Sequence, residues 1–483
     1  MPWRELRFHQ VCEWGPAVYI PGVGVVDQLR ALLPADRVIT DRDLVEMYRR
    51  DEADLVVDGL PMVVVRPRST DEVVAVVKVA AEHGVPVVPQ GARTGLAGGA
   101  NAVDGCIVVS LTLMDQILEI DPVNRIAVVQ PGVVNAVLGR AVREKGLHYP
   151  PDPGSFESST IGGNVATNAG GMCCVKYGVT TGYVIGLEVV LADGEVLRTG
   201  RRTPKGVAGY DLTSLFVGSE GTLGIVTEVT VALRPAPEPS LSLVAVFPTT
   251  ATAGAAVNEI MASGAAPSLL ELLDNVHLRA IEAYRPMGLD TTAAAILLAA
   301  ADTGARAGAD LDRIAELALA AGATEVYRAT DDEEAAALLQ ARRAAHPAME
   351  HLAASLHDRG GLILDDIAVP RSRLAELLDG IAEIAARHEI TVGVVGHAGD
   401  GNLHPNIVVD RADPASVDKG HLVFDEIMEL GLGLGGTCTG EHGVGLLKRG
   451  WLATEVGPVS MRVQQAIKDA LDPRGLLNPG KIL

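Results

Sequence analysis

Pro89-Gln90-Gly91-Ala92-Arg93-Thr94-Gly95-Leu96-Ala97-Gly98-Gly99 follows the apolar run Val85–Val88, and its reading decides the fold. Upstream, Met62–Val65 reads as a buried strand, and Ser69-Thr70-Asp71-Glu72 has the Ser-x-x-Glu pattern of a capping box. Val73, Val76, Val77 and Ala80 then share one helical face, and Gly84 ends the helix. The order is strand, helix, strand, glycine-rich loop. A dinucleotide fold of the common kind would require G-x-G-x-x-G and a helix next. The spacing here differs, and Cys106–Leu111 reads as a further strand. Phosphates bound by this loop would sit in a nest of backbone N–H groups, not on a helix N-terminus.

Two more glycine-rich segments follow. One is Pro150-Pro151-Asp152-Pro153-Gly154-Ser155 with Thr160-Ile161-Gly162-Gly163-Asn164-Val165-Ala166-Thr167-Asn168-Ala169-Gly170-Gly171. The other is Gly209–Leu212 with Phe216-Val217-Gly218-Ser219-Glu220-Gly221-Thr222-Leu223-Gly224-Ile225-Val226. Glycine lets a backbone approach a ligand closely, and asparagine and threonine add side-chain hydrogen bonds. Three such loops suit a ligand longer than a mononucleotide. Arg234-Pro235-Ala236-Pro237-Glu238-Pro239 is a proline-rich break and marks a domain boundary.

Beyond it, strands over 241–247, 294–301 and 362–369 alternate with helices over 250–263, 307–321 and 331–345. This indicates an α+β layer with an antiparallel sheet. At the other end, residues 1–24 read as an irregular extension and helical texture runs from Val25 to about Asp51. The expected division is an N-terminal segment 1–59, a domain 60–237 and a domain 238–483. The tail 472–483 reads as ordered.

A second stretch carries chemistry: Gly396-His397-Ala398-Gly399-Asp400-Gly401-Asn402-Leu403-His404, answered by Gly440-Glu441-His442-Gly443. Asp400-Gly401 between two β-branched runs predicts a two-residue hairpin turn. His397 then faces His404, with Cβ atoms roughly 4.5–5.5 Å apart. Two imidazoles at that distance can share a metal ion. Glu441 would add an oxygen ligand and leave positions open, as catalytic zinc sites do. His442 would stay free beside the metal as a base.

Composition narrows the possible functions. At 483 residues and 48% hydrophobic content the chain is globular and long enough for two or three domains. A net charge of −21 and a pI near 5.0 argue strongly against nucleic acid and anionic membrane surfaces as partners. An anionic substrate would need local arginine or metal. No run approaches the about 18 apolar residues of a transmembrane segment. Thr292–Ala301 is the richest run and is too short, and residues 1–20 lack the apolar stretch of a secretory signal. The five cysteines have no metal-cluster spacing and form no disulfide framework. A reducing cytoplasmic setting fits, and the chain carries no iron–sulfur cluster of its own.

Taken together, the loops and the His/Glu motif resemble the flavin-linked 2-hydroxy-acid dehydrogenases of the vanillyl-alcohol-oxidase superfamily. That group includes glycolate oxidase catalytic subunits, D-lactate dehydrogenases and D-2-hydroxyglutarate dehydrogenases. The resemblance runs from about Val25 to Leu483. It implies an α+β protein: a two-part PCMH-type FAD-binding domain at 60–237 and an α+β cap with an antiparallel sheet. Pro89, Gly91, Ala92, Arg93, Thr94, Gly95 and Leu96 would hold the pyrophosphate. Pro153, Ser155, Ile161, Gly162, Gly163, Asn164, Thr167, Asn168, Ala169 and Gly171 would line the isoalloxazine and ribityl chain. Glu220, Gly221 and Ile225 would take the adenosine side, and Asn478 is assigned to the cofactor as well. Some relatives attach FAD through a histidine in the first loop. None occurs between Pro89 and Ala100, so noncovalent FAD is expected.

In the cap, the resemblance implies that His397, His404 and Glu441 hold a divalent metal, zinc by expectation, with His442 as base. The metal would chelate the α-carboxylate and α-hydroxyl and lower the hydroxyl pKa. The Cα hydrogen would pass to flavin N5 as a hydride; a carbanion-first order stays open. Asn406 would hydrogen-bond the substrate, and Arg342 would clamp its carboxylate. Relatives that accept a second, distal carboxylate place a lysine where this chain has Leu364. A small monocarboxylate, lactate or glycolate, is therefore expected.

The alternatives are a D-2-hydroxyglutarate dehydrogenase and a non-redox FAD transferase, the alkyl-glycerone-phosphate synthase. The latter shows three consecutive histidines where this chain has Gly440-Glu441-His442. Non-catalytic FAD-binding accessory subunits lack the paired-histidine motif. A quinone, an electron-transfer flavoprotein and an iron–sulfur subunit all stay open as electron acceptor. So do a homodimer and peripheral attachment of a cytoplasmic protein to the inner membrane through a partner.

Overall fold

Parallel pairing begins where the sequence is purely β-branched. In the computed structural model, which describes residues 23–483, Val63–Val65 and Val87–Gln90 lie parallel on either side of Ile107–Ser110. The helix Thr70–His83 makes the crossover. Ser69 Oγ accepts from Glu72 N at 3.3 Å, and Gly84 ends the helix at φ 66°. The Glu72 carboxylate departs from the reciprocal capping box. It accepts from Arg68 N at 2.7 Å and from Arg37 at 2.6 and 2.8 Å.

The N-terminal segment is not the long helix expected. Its helix, Val23–Leu32, ends before Pro34, and Val38–Ile39 pairs antiparallel with Val63–Val65. Val25, Leu29 and Leu33 pack with Val73, Val76 and Val77 of the crossover helix. Residues 25–39 thus pack on the first module. The expectation of an irregular 1–22 lies outside the described residues.

A second, antiparallel sheet completes that module, in the order Ile117–Asp121, Ile126–Val129, Ile225–Ala232, Val184–Val190, Val196–Gly200. Thr160–Gly171, expected as a loop, contains the helix Ile161–Thr167, capped by Thr160 Oγ1 accepting from Gly163 N at 3.2 Å. A capping threonine offset the glycines that follow it.

The cap is one eight-stranded sheet, antiparallel throughout. Its order is Glu325–Arg328, Leu241–Phe247, Ala295–Ala301, Leu269–Asp274, Val392–His397, Asn402–Asp410, Gly360–Leu364, with Ile367–Ala368 also on Asn402–Asp410. The expected strand 362–369 is broken at Asp365-Asp366; the expected helix 331–345 is Asp332–Arg343, and a further helix, Ala345–Leu356, follows it directly. Period-two alternation sorts the sheet into two faces. Leu270, Leu272, Val394, Leu403 and Ile407 pack under helices on one side. Leu269, Leu273, Val395 and Val408 lie on the other, with Met349. The second face also meets Met172 of the first module.

The chain ends by going back. Helix Arg449–Leu471, broken at Gly457 before Pro458, rests Trp451 on the cap core and Ile467 and Leu471 on the first module. Leu477 then bridges to Val87 and joins the valine core. Residues 472–483 thus pack back on the first module. Leu477 has no exposed surface. Leu477→Ala should therefore destabilise the protein by about 2–5 kcal/mol. A denaturant midpoint equal to the parent's would detach the tail from the core.

Candidate active site

Val392–His397 and Asn402–Asp410 form the expected hairpin around a wider turn. His397 faces Asn402 and His404 faces Val395, two residues away from the register that opposes the histidines. Residues 398–401 make the turn, with Gly401 at φ 77°. Neighbouring chain holds it open: Arg371 Nε donates to Gly399 O at 2.5 Å and Val369 N to Gly401 O at 3.0 Å. A shift of two keeps every side chain on its face. His397 and His404 remain neighbours, ring centroids 5.1 Å apart.

Both imidazoles aim Nε2 at Glu441 Oε1, from 3.1 Å for His397 and 3.3 Å for His404. Their Nδ1 atoms turn to buried carboxylates, Glu271 at 2.8 Å and Asp366 at 3.5 Å. Ligands at about 2.0–2.1 Å around a tetrahedral ion lie about 3.3 Å from one another. An acid behind each imidazole is how metal-ligating histidines are oriented. His397, His404 and Glu441 could therefore hold a divalent cation.

The electrostatics agree. Burial alone would discharge His397, but the carboxylates of Glu271 and Glu441 outweigh it and hold its pKa well above the usual range. Burial likewise opposes the charge on Glu441, yet His397 and His404 keep its pKa well below the usual carboxylate range. The carboxylates demand positive charge between them, which a proton or a metal ion can supply. His442 is different. Burial pushes its pKa down to about 4 against the pull of Asp366. It stacks on His404 at 4.8 Å, within 10° of parallel, and its buried Nδ1 has no protein partner. It is a neutral imidazole at pH 7, able to take a proton.

Glu441 and His442 sit on a loop that Asp366 organises. Asp366 Oδ2 accepts from Thr439 Oγ1 at 2.7 Å and from the amides of Gly440, Glu441 and His442 at 2.9, 3.0 and 2.9 Å. Lys448 Nζ lies 3.2 Å away, and Asn402 Nδ2 donates to Oδ1 at 2.8 Å. A Cβ on residue 440 would come within 2.4 Å of the Asn402 amide, so only glycine fits. The sequence reading missed Glu271, Asn402 and Lys448, and the role of Asp366. Two of these left a trace: Glu271 is an acid inside Leu269–Leu273, and Asp365-Asp366 interrupts an apolar run. Lys448 left none.

One cavity joins this cluster to the glycine-rich segments. It is lined by Arg342, Asn406, His442 and the His397–His404–Glu441 set, and by all the expected cofactor residues except Ile161, Asn168, Gly171 and Asn478. Ile161 is core, and Asn168 caps a helix end, its Oδ1 accepting from Thr181 N at 2.8 Å. Gly171 lies against the Asp152 backbone, and Asn478 Nδ2 donates to Gly99 O and Glu220 O at 2.8 and 2.6 Å. Glu220 lines the cavity, but its carboxylate accepts from Val444 N and Gly445 N at 2.7 and 2.9 Å, so it clamps the cap loop. The wall is also not loop alone. Gly162 and Gly163 enter it from the start of a helix, so close to the first loop that a Cβ on residue 91 would lie 2.4 Å from Thr160 Oγ1. Arg342 Nε donates to Glu271 at 2.7 Å, and Asn406 Nδ2 to His404 O at 2.8 Å.

A sequence profile for an FAD binding domain matches residues 61–200, and one for the C-terminal domain of FAD linked oxidases matches residues 236–482. The chain belongs to the FAD-linked oxidases. This FAD-linked oxidase is 45% identical over 428 residues to the glycolate oxidase subunit GlcD of Bacillus subtilis, covering 88% of this chain and 89% of that one. It is 37% identical over 469 residues to a D-lactate dehydrogenase of Anaerostipes hadrus, covering 95% and 97%. The fold matches 4-ethylphenol oxidase from Gulosibacter chungangensis with a TM-score of 0.76, over 95% of this chain and 96% of that one, at 22% identity. An FAD-linked oxidase is a flavin-dependent oxidoreductase, and the expected two-domain α+β architecture is present. No helix among the described residues is long and apolar enough to cross a membrane.

Asp366→Ala should strand the Lys448 ammonium and three amides inside the protein, at a cost of about 3–5 kcal/mol. Chemical denaturation measures it. A loss below about 1 kcal/mol, the worth of an exposed ion pair, would show that the 439–443 loop holds itself.

Proposed function

We propose that this FAD-linked oxidase oxidises a small D-2-hydroxy acid, D-lactate or glycolate, to the 2-oxo acid. One observation carries the reading: Arg342, Asn406, His442 and the His397–His404–Glu441 set line the same cavity as the glycine-rich segments. The names of the two relatives, a glycolate oxidase subunit and a D-lactate dehydrogenase, support the same substrate class.

Pro89–Leu96, Pro153–Ala169 and Gly221–Ile225 would hold FAD noncovalently, and the flavin would supply a hydride acceptor for the substrate Cα. His397, His404 and Glu441 would hold a divalent metal ion, zinc by its donor set, which would supply a Lewis acid for the α-hydroxyl and carboxylate. The protein's own groups do the rest. Arg342, anchored through Nε, presents its terminal nitrogens to the carboxylate. His442 takes the hydroxyl proton. Asn406 orients the substrate from the strand beside Leu364, which it faces directly. Leu364 offers no partner to a second carboxylate. A quinone, an electron-transfer flavoprotein or an iron–sulfur subunit would be the final acceptor. That suits a cytoplasmic protein, docked at the inner membrane by a partner in some of these cases.

Anaerobic stopped-flow reduction tests the substrate without needing the acceptor. D-lactate or glycolate should bleach the flavin roughly a hundredfold faster than D-2-hydroxyglutarate at equal concentration, because an unpaired buried carboxylate costs at least a few kcal/mol. Leu364→Lys should narrow the gap. A parent preference for D-2-hydroxyglutarate would assign the site to dicarboxylates.

His397→Ala should contain no metal and lose turnover while staying yellow, and acid precipitation should release FAD from the variant and the parent alike. Elemental analysis decides the metal. A variant that reduces its flavin at the parent rate would remove His397 from the mechanism.

A further inference from the structure

Glu271 is a carboxylate flanked by Leu269-Leu270 and Leu272-Leu273 in the strand Leu269–Asp274. Leu270 and Leu272 point into the core beneath the helices, and Leu269 and Leu273 into the core on the opposite face. Glu271 shares that opposite face and has no exposed surface at all. An ionised carboxylate so placed is tolerable only when paired and hydrogen-bonded. Its partners are particular ones. The register Leu272↔Gly396 and Leu273↔Val395 sets Glu271 abreast of His397. Oε1 lies 2.8 Å from His397 Nδ1, and Oε2 accepts from Arg342 Nε at 2.7 Å.

One rigid carboxylate therefore touches both ends of the site. On one side it fixes the ring of His397, so that Nε2 faces Glu441. On the other it holds the one guanidinium nitrogen that an end-on fork does not use, leaving the terminal pair for a substrate carboxylate. Both contacts come from a sheet strand, which positions more precisely than a loop.

We propose that Glu271 is a positioning residue: it sets the separation between Arg342 and the His397 end, and so selects acids whose oxidisable hydroxyl is on the same carbon that bears the carboxylate. The inference rests on the 2-hydroxy-acid reading above. It assigns no proton transfer to Glu271.

Glu271→Gln in the full-length holoprotein tests it. The amide can accept from one partner but turns an N–H toward the other, so one of the two contacts becomes donor against donor. Oxalate binding, followed by perturbation of the oxidised flavin spectrum, reads positioning without turnover. Its Kd and the KM for the 2-hydroxy acid should each rise about tenfold or more, a change of about 1.4 kcal/mol, with a smaller fall in kcat. Discrimination of a 2-hydroxy acid against its 3-hydroxy isomer should shrink. In an Arg342→Ala background the same substitution should add little to the oxalate Kd, because the two residues act as a unit. If the Gln variant loses FAD, Glu271→Asp replaces it under the same criteria, keeping the charge but too short to span both partners. Oxalate Kd, KM and isomer discrimination all within twofold of the parent would overturn the proposal alone. A parent flavin that no 2-hydroxy acid reduces would overturn the substrate reading, and this inference with it.

Discussion

Everything at the chemical end of this protein hangs on where the Asp366 carboxylate sits. Burial opposes its charge, yet Lys448 first, then His442 and His404, hold its pKa well below the usual carboxylate range. Six donors converge on its two oxygens. Three of them are consecutive backbone amides, which gives a segment with no helix or strand of its own a fixed shape. Glu441 and His442 take their directions from that shape. A buried charge is costly to leave unpaired, and this one is tolerated because the loop and Lys448 supply what water would have supplied.

Glu220 repeats the device from the other side. It belongs to the first module, and its carboxylate receives the amides of Val444 and Gly445. The stretch 439–445 is thus held by one buried acid from each module. Asn478, returning in the tail, ties Gly99 and Glu220 together by their carbonyls. The cavity lies on the seam these clamps define. That is where a flavin-dependent oxidoreductase must bring an organic substrate against a planar cofactor while excluding water.

The hairpin shows why a sequence reading can miss a register and keep a site. Asp400-Gly401 invited a two-residue turn; the turn is wider because Arg371 and Val369 bond to it from outside the hairpin. The error of two residues preserved the face, since strand side chains repeat every two. The helix at Ile161–Thr167 was hidden for a different reason. Its glycines argue for a loop, and only the Thr160 cap and its packing against the first loop show otherwise.

The sequence by itself determined the inventory: three glycine-rich segments, a paired-histidine hairpin, a Glu-His answer to it, and the strand and helix periods that make an α+β chain. Those signals are legible because each is local, set by residues within a turn or two of one another. The tertiary structure alone decided which acids stand behind the histidines and how the tail closes the first module. Glu271 meets His397 across 126 residues of sequence, and Asn478 meets Glu220 across 258. No periodicity records partners so far apart. A buried carboxylate finds them only when folding removes its water, and its desolvation then makes each contact obligatory.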